Sequence, residues 1–534
     1  MDFMQLADII SALSEPQAYP YEVTDIRICQ THISVVFLAG DFVYKMKKPV
    51  QLGFLDFSTP EKREHYCHEE IRLNRRLAPH VYLSVVPISQ TETGIRVEQE
   101  GTVLEWAVKM VRLPDEATLE QFLIRSEVDD AQIQRLAGLI ADFHAQAETN
   151  DTIADYGKYE TVAGNALENF EQTHHQVGKL VSKDVFEQIQ SYTNSILAEN
   201  RELINKRASE HKVCDTHGDL RLDHVYFFPD KPEPDDIVIL DCIEFNERFR
   251  YADPVADMAF LVMDLKYHGY RQSALCFSEA YFRATADMQG QKLLPFYTAY
   301  RAVVRAKVEG IKATESEVAE EDRERAGILA KTHWLLALAE LAPVKRIPCL
   351  LLIGGPPGSG KSTLAEALSA QANFTVLRTD VIRKELAGVS ETTDLNTFSE
   401  NLYSEEWNNK TYSECCRRAE DLLFQGQRVI IDASFREEVN RERFLKLGVL
   451  WSVPVHLLMC QVSEDVARQR ILGRTNDASD ADFAIFLKAI ASWEQPGVYT
   501  QQFLQTLDVD GSPDDVLQQT LAWLERVGLF TAED

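Results

Sequence analysis

Gly355, Pro356, Pro357, Gly358, Ser359, Gly360, Lys361 and Ser362 fit the pattern GxxxxGK(S/T) in full, directly after the apolar run Cys349 to Ile353 and directly before the helical pattern Thr363 to Ala370. A buried strand, a glycine-rich turn and a helix in that order constrain the fold strongly. Successive backbone N–H groups converge on an anion at the helix N-terminus, and the glycines keep side-chain carbon out of the way. The run therefore predicts a phosphate-binding loop for ATP. Lys361 neutralises the outer phosphates, Ser362 offers an oxygen to Mg²⁺, and Thr363 lies beside them in the first helical turn.

The surrounding pattern extends that reading. Apolar stretches at 349–353, 375–378, 428–432 and 455–459 alternate with helical segments, which predicts a parallel sheet with crossover helices on both faces. Asp432 ends the stretch Val-Ile-Ile-Asp and is expected beside the magnesium. The next residue, Ala433, stands where hydrolytic motors usually carry a glutamate, which favours transfer to an acceptor over hydrolysis. Asp380 falls at the end of the second stretch as the candidate general base, with Arg383 one helical turn on to hold a polar or anionic substrate. Arg470 and Arg474 form an (i, i+4) pair on a polar helix, placed to offset charge over the phosphates.

Upstream, 23–29, 34–39 and 42–45 read as short strands, with a hairpin turn at Gly40-Asp41. A helix over 61–77, strands near 81–88, 94–97 and 103–111, and long helices over 119–147 and 163–206 follow. A sheet-rich first half and a helix-rich second half predict a two-lobed unit. His217-Gly-Asp219 precedes the apolar strand Ile237 to Leu240, which ends at Asp241; Asp219 could accept a hydroxyl proton and Asp241 could bind Mg²⁺. The helix-favouring stretch 315–341 ends at Pro343 and Pro348, which places a domain boundary between 342 and 343.

Bulk properties set limits on all of this. The 534 residues exceed one ordinary core, and 45% hydrophobic with 26% charged residues is a globular composition. A formal charge of −29 repels polyanions, which disfavours nucleic acid and anionic membrane as main partners. Met1 to Ile10 has no basic segment, and no apolar run approaches the roughly 20 residues that span a bilayer, so a cytoplasmic protein is expected. The nine cysteines include no CxxC pair and read as reduced thiols.

Residues 347–524 resemble the P-loop kinases of the polynucleotide kinase, zeta-toxin and gluconate-kinase group, on the phosphate loop, Asp380-x-x-Arg383, the Asp432 strand and the arginine-bearing helix. In that group the aspartate of DxxR activates the acceptor hydroxyl, and the resemblance leaves the substrate pocket in variable segments such as 390–407. Residues 23–306 resemble aminoglycoside phosphotransferase-like and choline-kinase-like enzymes, on His217-Gly218-Asp219, Asp241, and Lys45 with Glu70. That resemblance implies that Lys45 and Glu70 clamp ATP phosphates, with Lys47 and Glu69 as fallbacks, and that 110–113 lie beside adenine. His224 departs from the asparagine usual there, and a neutral imidazole is a poor ligand for a hard ion. Two alternatives follow: Asp223 or Glu244 substitutes as the ligand, or the domain binds nucleotide and catalyses slowly or not at all.

The fold class expected is mixed α/β and α+β, a two-lobed protein-kinase-like domain over 1–342 followed by a P-loop domain over 343–534. The activity expected is an ATP- and Mg²⁺-dependent kinase of a small polar or sugar-like hydroxyl compound, with one ATP site per domain as its extended form. The competing expectations are a regulatory ATPase with a ligand-sensing kinase-like half and a polynucleotide 5′-kinase.

Overall fold

The computed structural model describes residues 3–53, 55–315, 318–390, 402, 404–473 and 483–532. The chain forms two compact units. One comprises Met1–Ala163, Asn200–Leu265 and Tyr270–Tyr297; the other comprises Gly164–Glu199, Lys266–Gly269 and Thr298–Asp534. The division does not follow the 342/343 boundary, because helical segments before it belong to the second unit. Trp334 of the helix Glu320–Leu341 packs on Phe170 and Phe186 there, with ring centroids 6.4 and 5.6 Å away.

The first unit holds a six-stranded antiparallel sheet of β1 (Ile26–Gln30), β2 (Ser34–Ala39), β3 (Phe42–Lys47), β4 (Tyr82–Thr91), β5 (Gly94–Val97) and β6 (Thr102–Val111). The strand order is β1-β2-β3-β6-β4-β5. Gly40, at φ +59°, makes the tight turn that pairs Ala39 with Phe42. The period of two then sorts β3 by face. Tyr44 and Met46 join the cluster formed with Phe37, Ile88 and Ala107, which the helix carrying Ile9 and Leu13 covers. Val43 joins the opposite cluster, where Cys67 and Ile71 of α1 (Pro60–Asn74) pack on Val108 and Met110. Thr59 caps α1 by accepting from the Lys62 N–H, and Pro60 occupies the first turn, where its missing donor costs nothing.

Within α1, Arg63 is fully buried. It meets the equally buried Glu105 at 2.6 Å and donates to the Phe57 carbonyl at 2.7 Å. Removing one partner strands the other charge in the core, so Arg63→Ala is expected to destabilise the protein by about 3–5 kcal/mol. A lowered urea midpoint measures this, and the Arg63→Ala/Glu105→Ala double variant should lose less than the sum of the two single ones.

The expected helix over 119–147 is two helices, Leu119–Ile124 and Asp130–Gln146. Ser126 turns the chain at φ +57°, and an Asp129/Gln132 capping box restarts it, a local signal that outweighs the apolar periodicity. The span 163–206 is likewise divided, between helices Tyr159–Thr173, Lys183–Glu199 and Arg201–Ser209.

The second unit is built on a parallel sheet of β7 (Cys349–Gly354), β8 (Phe374–Arg378), β9 (Arg428–Asp432), β10 (Val455–Gln461) and β11 (Leu504–Asp508), ordered β8-β9-β7-β10-β11. The four expected strands are present, and β11 is an addition at the edge. The central strand β7 is buried along its whole length, as a strand covered on both faces must be. Register pairs Ile353 with Asp432 and Asp432 with Arg378, which aligns the carboxyl ends of β7, β9 and β8. The order reverses beside β7, and in such sheets the crevice at that point takes the ligand. Among the described residues, no helix is long and apolar enough to cross a membrane.

Candidate active site

The phosphate loop runs from β7 into α2 (Lys361–Ala372). Gly355 lies at φ +150°, and a Cβ there would sit 2.7 Å from Ser359 Oγ and 2.9 Å from the Cys460 carbonyl. Gly358 lies at φ +82°, where a Cβ would press on Ile471 at 3.0 Å and the Ala467 carbonyl at 3.1 Å. Both positions therefore require glycine on conformation and on space. Pro356 accepts from the Ser359 N–H at 3.2 Å, closing the turn, and Ser359 Oγ is buried with no hydrogen-bond partner. Pro357, Gly360, Lys361 and Ser362 are half-buried and Thr363 is exposed.

Asp432, 4% exposed, ends β9 beside this loop. Its Oδ2 accepts from Ser362 Oγ at 2.6 Å and lies 3.4 Å from Arg378 Nε, while its Oδ1 is buried without a hydrogen-bond partner. Burial pushes this carboxyl above the ordinary range, and Lys361 and Ser362 pull it partly back. A buried carboxylate oxygen without a donor, next to a serine hydroxyl, suits a hard cation with oxygen ligands. Among the described residues no group of three or more His, Cys, Asp or Glu side chains is arranged to hold a metal. Such an ion would therefore depend on Ser362, Asp432, water and the nucleotide.

Asp380 stands in the first turn of α3 (Thr379–Leu386), where Arg383 Nη1 donates to its Oδ1 at 3.0 Å. Arg383 is itself buried, and its Nη2 donates to Asn408 Oδ1 at 3.0 Å on α4 (Glu405–Phe424). Thr379 Oγ1 donates to the Asp432 carbonyl at 3.2 Å, tying the start of α3 to the end of β9. Asn408, Arg378 and Thr379 had no motif of their own; only their neighbourhood to Asp380 and Asp432 in space singles them out.

Arg470 lies on the helix Glu464–Leu472, and its Nη2 donates to the Val509 carbonyl at 2.7 Å and the Gly511 carbonyl at 3.2 Å. Its Nη1 lies 3.6 Å from where a Cβ on Gly360 would be, so the guanidinium edges the loop. Its expected companion, Arg474, lies outside the described residues, as does most of the 390–407 segment.

The residues singled out in the N-terminal half also meet. Lys45 Nζ is 2.9 Å from Glu70 Oε1 and 2.6 Å from Asp241 Oδ1. Burial opposes its charge, but Asp241, Glu70 and Glu244 outweigh burial and hold the ammonium well above its usual pKa. Lys47 is buried on the same face of β3, 2.8 Å from Glu70 Oε2, and pairs also with Glu244, so Glu70 bridges both lysines. Glu69, the fallback, pairs instead with Arg72.

Asp241 sits at φ +64°, a left-handed conformation rare outside glycine. His217 Nε2 donates to the Leu240 carbonyl at 2.9 Å and its Nδ1 accepts from the Asp219 N–H at 3.2 Å. Burial lowers its pKa to about 4, so it is a neutral, orienting residue. Asp257 accepts from the His217 and Gly218 N–H groups at 3.1 and 2.7 Å, fixing the loop that carries Asp219. His224 Nδ1 donates to the Asp219 carbonyl at 2.9 Å, and its Nε2 lies 3.8 Å from Asp241 Oδ2. Asp241 thus has Lys45 on one oxygen and His224 near the other, and these residues do not fit an Mg²⁺ site with two hard ligands.

The family model described as AAA_33: AAA domain matches residues 350–496. The chain is 33% identical over 466 residues to Uncharacterized protein Rv2004c of Mycobacterium tuberculosis, spanning 86% of this chain and 89% of that one. It is 30% identical over 189 residues to an adenylate kinase of Corynebacterium urealyticum, spanning 33% of this chain and 99% of the enzyme. A solved gluconokinase from Sinorhizobium meliloti 1021 superposes with a TM-score of 0.26 at 17% identity, covering 34% of this chain and 94% of that one. The chain therefore belongs to the family of the mycobacterial protein Rv2004c, and its C-terminal part is an AAA_33 P-loop kinase domain.

Proposed function

We propose that the protein is an ATP- and Mg²⁺-dependent phosphotransferase acting on a hydroxyl group of a small polar or sugar-like compound, with transfer carried out in the C-terminal domain. The observation that carries this reading is the neighbourhood of Asp380 and Asp432 at the carboxyl ends of adjacent strands, beside a phosphate loop whose tight turn only glycine permits at 355 and 358. When bound, ATP supplies the transferable phosphoryl group and Mg²⁺ neutralises its charge. The N–H groups of Gly358, Gly360, Lys361 and Ser362, together with the Lys361 ammonium, hold the phosphates, since Pro356 and Pro357 have no N–H and those of Gly355 and Ser359 donate within the protein, while Ser362 and Asp432 hold the ion. Asp380 takes the proton of the acceptor hydroxyl, and Arg383, locked by Asn408, keeps that carboxylate aimed. Arg470 adds positive charge at the edge of the loop.

The cluster of Lys45, Glu70, Asp219 and Asp241 supports a second, kinase-like nucleotide site in the N-terminal half, and with it a bifunctional enzyme. No metal-dependent step is assigned at Asp241, given the positions of Lys45 and His224. Ala433 counts against a hydrolytic switch, and the charge of −29 counts against nucleic-acid ends as acceptors.

Incubating the intact protein with γ-labelled ATP, Mg²⁺ and either a metabolite extract or 5′-hydroxyl oligonucleotides tests the reading. Label in a new low-molecular-weight product is expected. Label only in free phosphate or only on oligonucleotide ends would replace this reading with the switch or the end-repair alternative.

A further inference from the structure

In the P-loop unit, α4, α5 (Glu438–Leu450) and the short helix Val498–Gln501 flank an open cavity of about 750 Å³, lined in part by Cys416, Glu420, Arg443, Lys446, Leu447 and Tyr499. That volume is within the range of small-molecule sites, roughly 300–1,000 Å³. The cations around it differ in one respect. Arg417 donates to Glu414 at 2.8 Å and Asp421 at 2.7 Å, and Lys446 donates to Glu442 at 2.5 Å. Arg443 has no hydrogen bond or ion pair among the described residues, and its Nη1 is buried.

A guanidinium presents five N–H donors and stays charged at any physiological pH, so a buried edge without an acceptor is costly unless an anion meets it. The neighbouring Cys416 does not meet it, since burial pushes that thiol up to about 12 and keeps it neutral. Along α5 the spacing of Arg443, Leu447 and Leu450 puts all three on the face that lines the cavity, and Leu450 is 49% exposed. A charged centre with an apolar rim suits a ligand with the same division.

We propose that this cavity binds a small amphipathic organic anion, its acidic group paired with Arg443 and its apolar body laid against Leu447, Leu450 and Tyr499. The site is separate from the phosphate loop, and nothing in the transfer reaction proposed above uses it.

Fluorescence titration of the full-length protein with anilinonaphthalene sulfonate tests this. Saturable binding at one site is expected, displaced by decanoate or phenyl phosphate and not by ATP. Arg443→Met, which keeps the length of the side chain, should weaken it about tenfold or more, and Arg443→Lys should weaken it less. A neutral anilinonaphthalene should bind the wild type and Arg443→Met alike, which separates loss of the charge from loss of the fold. Equal dye affinity in wild type and Arg443→Met, displacement by ATP, or no saturable binding to the wild type would each overturn the proposal. If Arg443→Met unfolds, Arg443→Gln takes its place: weakened dye affinity with neutral-probe binding intact supports the site, and unchanged dye affinity overturns it.

Discussion

Lys361→Ala is expected to lower ATP-dependent phosphoryl transfer by about a thousandfold, the scale on which a single preorganised charge-stabilising group acts. The ammonium is placed where no other side chain of the loop can replace it, because Pro356, Pro357 and the glycines carry no charge and Ser359 and Ser362 offer only hydroxyls. Lys361 begins α2 and is half-buried, so its removal should cost little stability, within about 0.5 kcal/mol. The pair of measurements separates function from folding. Initial rates with γ-labelled ATP should collapse while the melting temperature without nucleotide stays near that of the wild type. A variant that transfers at the wild-type rate would move the reaction to the N-terminal cluster around Asp219.

Much of this site was legible in the sequence because its positions are covalently tied to strong local patterns. Cys349–Gly354 is apolar throughout because both faces of β7 are covered, and such a run followed by glycines and Lys-Ser leaves little choice of structure. Asp432 was readable for the same reason, as a polar residue closing an apolar strand. β11 was not, since Leu-Gln-Thr-Leu-Asp at a half-exposed edge has no continuous apolar run to distinguish it from a loop. Asn408 was beyond reach: a single asparagine on a helix reads as solvated until Arg383 is seen to reach across from α3. The choice between Lys45 and Lys47 illustrates a further limit. Their spacing of two puts both on one face of β3, and only the packing of α1 against that face shows Glu70 bridging both. The expected continuous helices failed where a capping box or a left-handed residue interrupts an otherwise periodic pattern, which is a local contest that averaged periodicity does not resolve.

The second large effect is expected at Asp380. Asparagine keeps the size of the side chain and an oxygen able to accept from Arg383 Nη1, now 3.0 Å from the carboxylate, so the Asp380–Arg383–Asn408 chain should survive the substitution. What asparagine cannot do is take up a proton from the acceptor hydroxyl. Asp380→Asn should therefore lower kcat by about 10²–10⁴-fold, the range for loss of a positioned general base, with ATP affinity by calorimetry changed little. The counterpart is Asp219→Asn, because Asp219 holds the equivalent role in the N-terminal reading, and its loop is fixed by Asp257 whichever side chain follows Gly218. If the C-terminal domain carries transfer to the acceptor, the first substitution removes that product and the second leaves it. Loss confined to Asp219→Asn would assign the acceptor chemistry to the N-terminal half and leave the P-loop a supporting role. Loss in both, each for a different labelled product, would mean two reactions in one chain.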